Sequence, residues 1–343
     1  MNDAGPELTG QKRSKYIFGY LLAGAGLVWV FHDIKISEMW EHMARISWGL
    51  AILGLFFDTL CYCCQGLRWN LLLRPTGRLP VLRTIQAVFV GLFINEFIPM
   101  RLGEVVRGYL VSRWIPAKFI SVLPSIIVER LFDAVWLSVG IGLTAMFLPL
   151  PKNLVHAGNI LGAVVLSGAG LFIYLLLHKK DSFAEPLSEK RTGSRLLRLL
   201  GGFIRHLAQG LKAIGLTGTS YTAFGVSIFV MGFQILSFWT LTLSYGFHLS
   251  FWAGAAVLLI IVLGTAIPNA PANVGSFQFF CVLGLTLFGV DKTAAAAFSL
   301  VVFFLFAIPF WGIGFLALSY SGMTFSTIRS EIKRLQTIQD QDR

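Results

Sequence analysis

From Ala213 to Val290 the chain contains no Asp, Glu, Lys or Arg. A stretch of that length without a formal charge cannot cover itself with water-facing surface, so it must be enclosed by other protein or by lipid. The rest of the chain points the same way. Soluble domains carry roughly a quarter charged residues, whereas this 343-residue chain is 13% charged and 55% hydrophobic. Apolar runs approaching or exceeding the roughly 20 residues of a spanning helix recur from Tyr16 to the C-terminal third. The fold class these features predict is an all-α polytopic membrane protein.

Six full spans are expected: Tyr16–Phe31, Trp48–Leu73, Ile120–Phe147, Ala157–His178, Ser220–Tyr245 and Thr293–Tyr320. Two apolar segments are less regular, Leu82–Ile98 and Trp252–Phe288, and each is followed or interrupted by helix-breaking proline: Pro99 for the first, Pro268 and Pro271 for the second. The connection Lys179–Lys212 holds eight Lys/Arg against three acids, and Lys12, Arg13 and Lys15 precede the first span. The positive-inside rule puts both on the cytoplasmic side, with the tail carrying Arg329, Lys333 and Arg334. Six spans satisfy this N-in/C-in arrangement if each irregular segment enters and leaves the membrane on one side. The expectation is therefore two re-entrant helical hairpins, one from each face, in halves related as an inverted repeat, although no residue-level repeat is evident.

The chain accordingly divides into a cytoplasmic N-terminal segment 1–15, a transmembrane domain 16–320 with a basic cytoplasmic connection at 178–213, and a cytoplasmic tail 321–343. The first apolar run lacks a clean small-x-small cleavage site and reads as a retained signal anchor. Net charge is +11, but the cations gather at helix ends, where they set orientation and attract anionic lipid, so no nucleic-acid partner is expected. Cys61, Cys63, Cys64 and Cys281 lie in apolar segments and read as inert buried thiols. No His lies four residues from another His or a Cys. Neither a metal nor a cofactor is expected.

Charge inside the apolar sequence is concentrated in two places. In Phe93–Arg113, Arg101, Glu104 and Arg107 are spaced i, i+3, i+6; on a helix starting just after Pro99 they would share an arc of about 120°, with Glu104 able to pair with either arginine. Asn95 precedes them and Gly103 lies between Arg101 and Glu104. Downstream, Glu129, Arg130 and Asp133 open a long apolar run. A bare charge at membrane depth costs at least about 2.5–3.5 kcal/mol on insertion scales, so such residues pair with one another around a polar cavity. Two readings fit: a polar intramembrane site, or a cytoplasmic loop with an interfacial helix and an ion network that only packs helices. Asp58, within Trp48–Leu73, is an intramembrane acid open to proton coupling or to a hydrogen bond with a neighbouring helix.

The second break, Gly264–Phe280, offers Asn269, Asn273, Ser276 and Gln278 with no formal charge. A helix starting near Asn273 or Gly275 after an unwound Pro/Gly stretch would point N–H groups at an anion. A plain loop between two short spans explains the same composition.

Taken together, Asn95, Pro99-Met100-Arg101-Leu102-Gly103-Glu104, Arg107, then Glu129-Arg130 and Asp133, then the Pro/Gly break, resemble the flippase-like family of lysylphosphatidylglycerol synthase transmembrane domains. The resemblance covers roughly Ile17 to Tyr320. Its third block departs from the family pattern: where Pro-Gly-Gly-x-Gly and a later Glu are common, this chain has Pro271-Ala272-Asn273-Val274-Gly275 and Gln278. The resemblance implies an inner-membrane protein that moves or accommodates lipid, without the soluble aminoacyl-transferase domain of two-domain relatives. Stand-alone members are associated with polyprenyl-linked sugar lipids and hopanoids.

The leading expectation is a flippase or lipid transporter in the cytoplasmic membrane. Arg101 and Arg107 would hold an anionic head group that Glu104 organises, with Asn95, Asn269, Asn273 and Gln278 lining the same cavity. Asp58, Glu129, Arg130 and Asp133 would supply a polar or proton-coupling network. Pro99, Gly103, Pro268, Pro271 and Gly275 would break the hairpins. No phosphate-binding Gly-x4-Gly-Lys-Ser/Thr loop occurs, so ATP drive by this chain is not expected. The alternatives are a membrane-embedded enzyme modifying a lipid head group, with Glu104 and Glu129 as its acids, and an accessory subunit docking a lipid-biosynthesis enzyme at the basic connection. Small residues such as Gly312 and Gly314 permit close helix contact, which leaves an oligomer open without specifying one.

Overall fold

A computed structural model describes residues 10–32, 46–98, 102–148, 209–215, 217–266 and 270–322, with a few isolated positions besides. All regular structure among the described residues is helical. The helices are α1 (Gly10–Phe31), α2 (Trp48–Leu73), α3 (Val81–Phe97), α4 (Gly103–Trp114), α5 (Phe119–Phe147), α6 (Gly218–Ser244), α7 (Phe251–Thr265), α8 (Ser276–Leu287) and α9 (Lys292–Ser319). Three of these, α2, α6 and α9, are long and apolar enough to cross a membrane. Two more expected spans coincide with α1 and α5; the latter carries Glu129, Arg130 and Asp133 within its length. Most of Ala157–His178, nearly all of the basic connection, residues 1–9 and the tail from 323 lie outside the described residues, as do Pro99, Arg101, Pro268 and Asn269.

The chain folds into two compact units. The first comprises 1–56, 94–102 and 235–308. Its core gathers Phe238, Leu241, Val257, Leu258, Cys281, Val282, Leu285, Phe298 and Val302. Phe238, Tyr245 and Phe247 surround Phe298 with ring centroids 5.3–5.7 Å away. Side-chain caps start its helices: the Ser250 hydroxyl accepts from Ala253 N at 3.2 Å, and the Asp291 carboxylate accepts from Thr293 N at 2.8 Å and Ala294 N at 3.1 Å. Each satisfies N–H groups that the helix itself leaves without acceptors.

Within this unit α7 and α8 pack antiparallel. Gly264 lies against Phe280, and Gly284 against Val257. At 1.5 Å per residue α7 is about 22 Å long and α8 about 18 Å, so each is shorter than the roughly 30 Å hydrocarbon core. The link reverses through three left-handed residues in four: Ala272 (φ 55°), Asn273 (φ 57°) and Gly275 (φ 82°). Only at Gly275 does the close approach demand glycine, because a Cβ there would enter the α1 backbone at Ala23.

The second unit comprises 57–93, 103–234 and 309–343. Here the expected first hairpin is two helices. α3 and α4 run antiparallel, with Gly91 against the Gly103 carbonyl and Arg107, and the Arg83 guanidinium 5.1 Å above the Trp114 ring. The second helix begins at Gly103, not just after Pro99. Of the expected arc, Glu104 and Arg107 lie on this helix, and Arg101 is outside the described residues. Leu71, Leu72, Val128, Ile214 and Ala223 form an apolar cluster beside the charged site. Gly210 packs against Pro124 inside α5.

Candidate functional site

Arg68 of α2, Arg107 of α4, and Glu129, Arg130 and Asp133 of α5 converge within the second unit. Glu129, fully buried, is the hub. Its Oε1 accepts from Arg68 Nη2 at 3.0 Å and its Oε2 from Arg107 Nη2 at 2.8 Å. Arg107 Nη1 adds a longer bond to Oε1 at 3.4 Å, and Arg130 Nη2 stands 3.6 Å from the same oxygen. Arg68 also donates to Asp133 Oδ1 and, at 3.2 Å, to the Ser227 hydroxyl of α6. Arg130 Nη1 completes a second pair with Asp133 Oδ2 at 3.2 Å, one helical turn away.

Helical periodicity explains how α5 delivers this. Glu129 and Asp133 are one full turn apart and so present carboxylates along one face, where Arg68 reaches both. Arg107 is held from behind as well: its guanidinium lies 4.6 Å over the Trp69 ring, and the Trp69 indole N–H donates to the Ser125 hydroxyl at 3.0 Å. Glu104 faces Arg130, with 3.6 Å between its Oε2 and Arg130 Nε. Three guanidiniums and three carboxylates therefore meet in one cluster. Such balance is what permits charge at low dielectric, since an unpaired buried ion costs several kcal/mol.

The cluster is graded in exposure. The side chains of Arg68, Arg107 and Glu129 are at most 4% exposed, whereas that of Arg130 is 40% exposed. The Nε atoms of all three arginines are buried and lack a hydrogen-bond partner among the described residues. Arg68 and Arg107 thus each keep a donor that the acids do not use, whereas Arg130 Nε faces Glu104 beyond hydrogen-bond distance.

This geometry redistributes the roles expected from sequence. Arg107 is committed to Glu129 and buried, whereas Arg130 is the most exposed of the three arginines. Glu104 organises Arg130 through its ion pair. Arg68 escapes the sequence reading altogether, although it is 1% exposed and touches more members of the cluster than Arg107 does. Its only sequence signal is a cation inside a run otherwise suited to lipid. Asp58 lies on α2 ten residues before Arg68, about 15 Å along the helix; it is 4% exposed, and its Oδ2 has no hydrogen-bond partner among the described residues.

The residues of the second break belong to the first unit. Gln278 does not turn outward: its Oε1 accepts from Gly275 N at 2.7 Å and caps α8 from within. Asn273 closes the short 3₁₀ turn that Pro271 begins. Asn95 also falls in the first unit, and its side of α3 ends at Phe97. Among the described residues no group of three or more His, Cys, Asp or Glu side chains is placed to hold a metal ion.

A family model for the lysylphosphatidylglycerol synthase TM region matches residues 16–317. A UPF0104 membrane protein of Methanocaldococcus jannaschii is 25% identical over 216 residues, which cover 60% of this chain and 84% of that protein. A second UPF0104 membrane protein of the same organism is 22% identical over 269 residues, covering 73% of this chain and 78% of its own. No solved structure matches the chain.

Proposed function

The chain belongs to the lysylphosphatidylglycerol synthase transmembrane-region family and is an integral membrane protein, and from that premise we propose that it is a lipid transporter of the flippase type. The observation that carries the reading is the buried, charge-balanced cluster of Arg68, Arg107, Glu129, Arg130, Asp133 and Glu104, partly exposed at Arg130. A protein that only anchors itself in lipid gains little from a network whose desolvation apolar side chains would avoid. A protein that passes a charged head group through the membrane needs fixed donors there, with counter-charges that hold the site together while it is empty.

In this reading an anionic head group displaces Glu104 or Asp133 from Arg130, whose contacts of 3.2–3.6 Å are the looser ones in the cluster. Charge-assisted bonds from a guanidinium to a phosphate oxygen are stronger than neutral ones. Arg68 and Arg107, locked on Glu129, position the α5 carboxylates and do not exchange. Arg101, which precedes α4, enters the proposal from sequence alone. The hydrocarbon tails of the lipid, of polyprenyl or hopanoid type in the family's manner, would remain in the bilayer.

The arrangement we propose around this site keeps both hairpins re-entrant, with termini on the cytoplasmic side of the cytoplasmic membrane. The shortness of α7 and α8 and the antiparallel pairing of α3 with α4 support it. The basic connection would face the enzyme that makes or consumes the lipid. No chemical step is assigned to the chain.

The test is leaflet exchange. Purified protein in liposomes should accelerate movement of a labelled anionic lipid relative to empty liposomes, and Arg130→Gln should lose that acceleration. Exchange no faster than in empty liposomes, across anionic, neutral and isoprenoid lipids and with an imposed pH gradient, would count against transport. Head-group turnover in the same vesicles would instead favour an enzyme.

A further inference from the structure

The first unit contains a buried helix end whose first-turn N–H groups have no backbone acceptor among the described residues. The backbone ladder of α8 begins with Phe279 N donating to Gly275 O at 2.9 Å. The N–H groups of Ser276, Phe277 and Gln278 precede that bond and have no carbonyl one turn earlier to receive them. Ordinarily such groups face water. Here Ser276 and Gln278 are each only 2% exposed, and Ala23 and Gly26 of α1 close against Gly275.

Two details show that this end is built differently from the others. The Ser276 hydroxyl, at the first helical position, has no hydrogen-bond partner among the described residues. The buried helical hydroxyls of Ser125, Thr144, Ser227 and Ser299 donate to a carbonyl three or four residues back. That of Ser237 shares the lack of a partner, but it lies within α6, where no free N–H groups accompany it. In addition, the Gln278 side chain bonds Gly275 N, outside the helix, and leaves the first-turn donors untouched. α7 and α9 differ again, their first turns being capped by Ser250 and by Asp291. No formally charged residue lies between Ala213 and Val290 to compete for these donors from within the hairpin.

We propose that the N-terminus of α8 binds a phosphate oxyanion, held by the Ser276 hydroxyl and the first-turn N–H groups. Several donors and the positive end of a helix dipole point where an anion would sit. Each buried donor left without a partner costs about 1–3 kcal/mol, so an occupant relieves a cost the empty site carries. The reversal through left-handed Ala272, Asn273 and Gly275 turns successive backbone groups toward the start of α8, and Gly275 places no side chain there. The phosphate is that of a lipid head group or free inorganic phosphate, which present the same oxygens. This site is distinct from the arginine cluster and does not rest on transport, since occupancy is measurable in detergent.

The experiment titrates the full-length purified protein with inorganic phosphate and, separately, with dioctanoyl phosphatidylglycerol, by calorimetry. Ser276→Ala should weaken binding about fivefold, the equivalent of one net hydrogen bond. Ser276→Asp should abolish it, because the new carboxylate takes the same donors, and should leave the unfolding midpoint unchanged or raised. Ser276→Thr, which keeps the hydroxyl, should retain affinity and guards against a general packing defect. Running the series also in Arg130→Gln removes any lipid held at the other cluster. Binding of both probes identifies a free oxyanion site, and binding of the lipid alone identifies the head group as its source. Absence of binding by either probe, or affinities that Ser276→Ala and Ser276→Asp leave unchanged, would overturn the proposal.

Discussion

Arg107 donates to both carboxylate oxygens of Glu129, at 2.8 and 3.4 Å, and neither side chain is more than 4% exposed. The bond ties α4 to α5 inside the apolar interior of the second unit. Arg107 is tolerable there because Glu129 faces it, and Glu129 because Arg107 and Arg68 both do. Removing one partner of such a pair costs about 3–5 kcal/mol, while removing both is far milder. Glu129→Gln should therefore lower stability by about that amount, and Arg107→Gln/Glu129→Gln should fall short of the sum of the single losses by about 0.5–3 kcal/mol. Denaturant unfolding of the four proteins in detergent measures the coupling. Strict additivity would show that the two side chains do not depend on each other.

Arg68 and Arg130 contact the same acids but differ in exposure, 1% against 40% for the side chains. Their glutamine variants should separate stability from transport. Arg68→Gln removes the buried cation that bridges Glu129 and Asp133, leaving them to Arg107 and Arg130 alone, and should lower both the unfolding midpoint and the yield of folded protein. Arg130→Gln removes a half-exposed partner, should shift the midpoint little, and should still abolish lipid exchange in liposomes. Equal loss of stability in both variants would make Arg130 a structural residue like Arg68.

The reach of the sequence can be judged from these same residues. Helix positions were legible because apolar run length sets them: α2, α6 and α9 start and stop within two residues of the expected spans. Glu129, Arg130 and Asp133 stood out because three charges in an apolar run have no cheap alternative to pairing. Arg68 carries no such signal. It lies near the end of its run, where an arginine ordinarily reaches out to the interface, and its burial depends on α5 and α6 meeting it from 61 and 159 residues away. The partner of Arg107 was hidden for the same reason: spacing along one helix favours Glu104, whereas packing supplies Glu129.

Asp58 presents the opposite case to Glu129, a buried acid whose Oδ2 has no hydrogen-bond partner among the described residues. Replacing it by the isosteric amide removes a group that is costly to bury charged and breaks no bond at that oxygen. Asp58→Asn should therefore leave the unfolding midpoint unchanged or raise it. If Asp58 couples transport to a proton gradient, the same variant should remove the dependence of lipid exchange on an imposed pH difference while exchange without a gradient persists. A drop in midpoint like that of Glu129→Gln would show that Asp58 is held by a charge partner.

Gly275 and Gly24 test how tightly α1 is seated on the second hairpin. Gly275 has φ 82°, and a Cβ there would run into the backbone of Ala23 rather than a movable side chain, so α1 would have to shift. Left-handed strain alone costs about 1–3 kcal/mol for a residue with a side chain, and the contact adds to it. Gly24, next along α1, has open space where its Cβ would stand, and alanine favours a helix over glycine by about 1 kcal/mol. Gly275→Ala should lower the unfolding midpoint and Gly24→Ala should hold or raise it, both read by thermal unfolding in detergent. A Gly275→Ala protein as stable as the parent would mean that α1 does not press on the start of α8, and the buried helix end would lose its back wall.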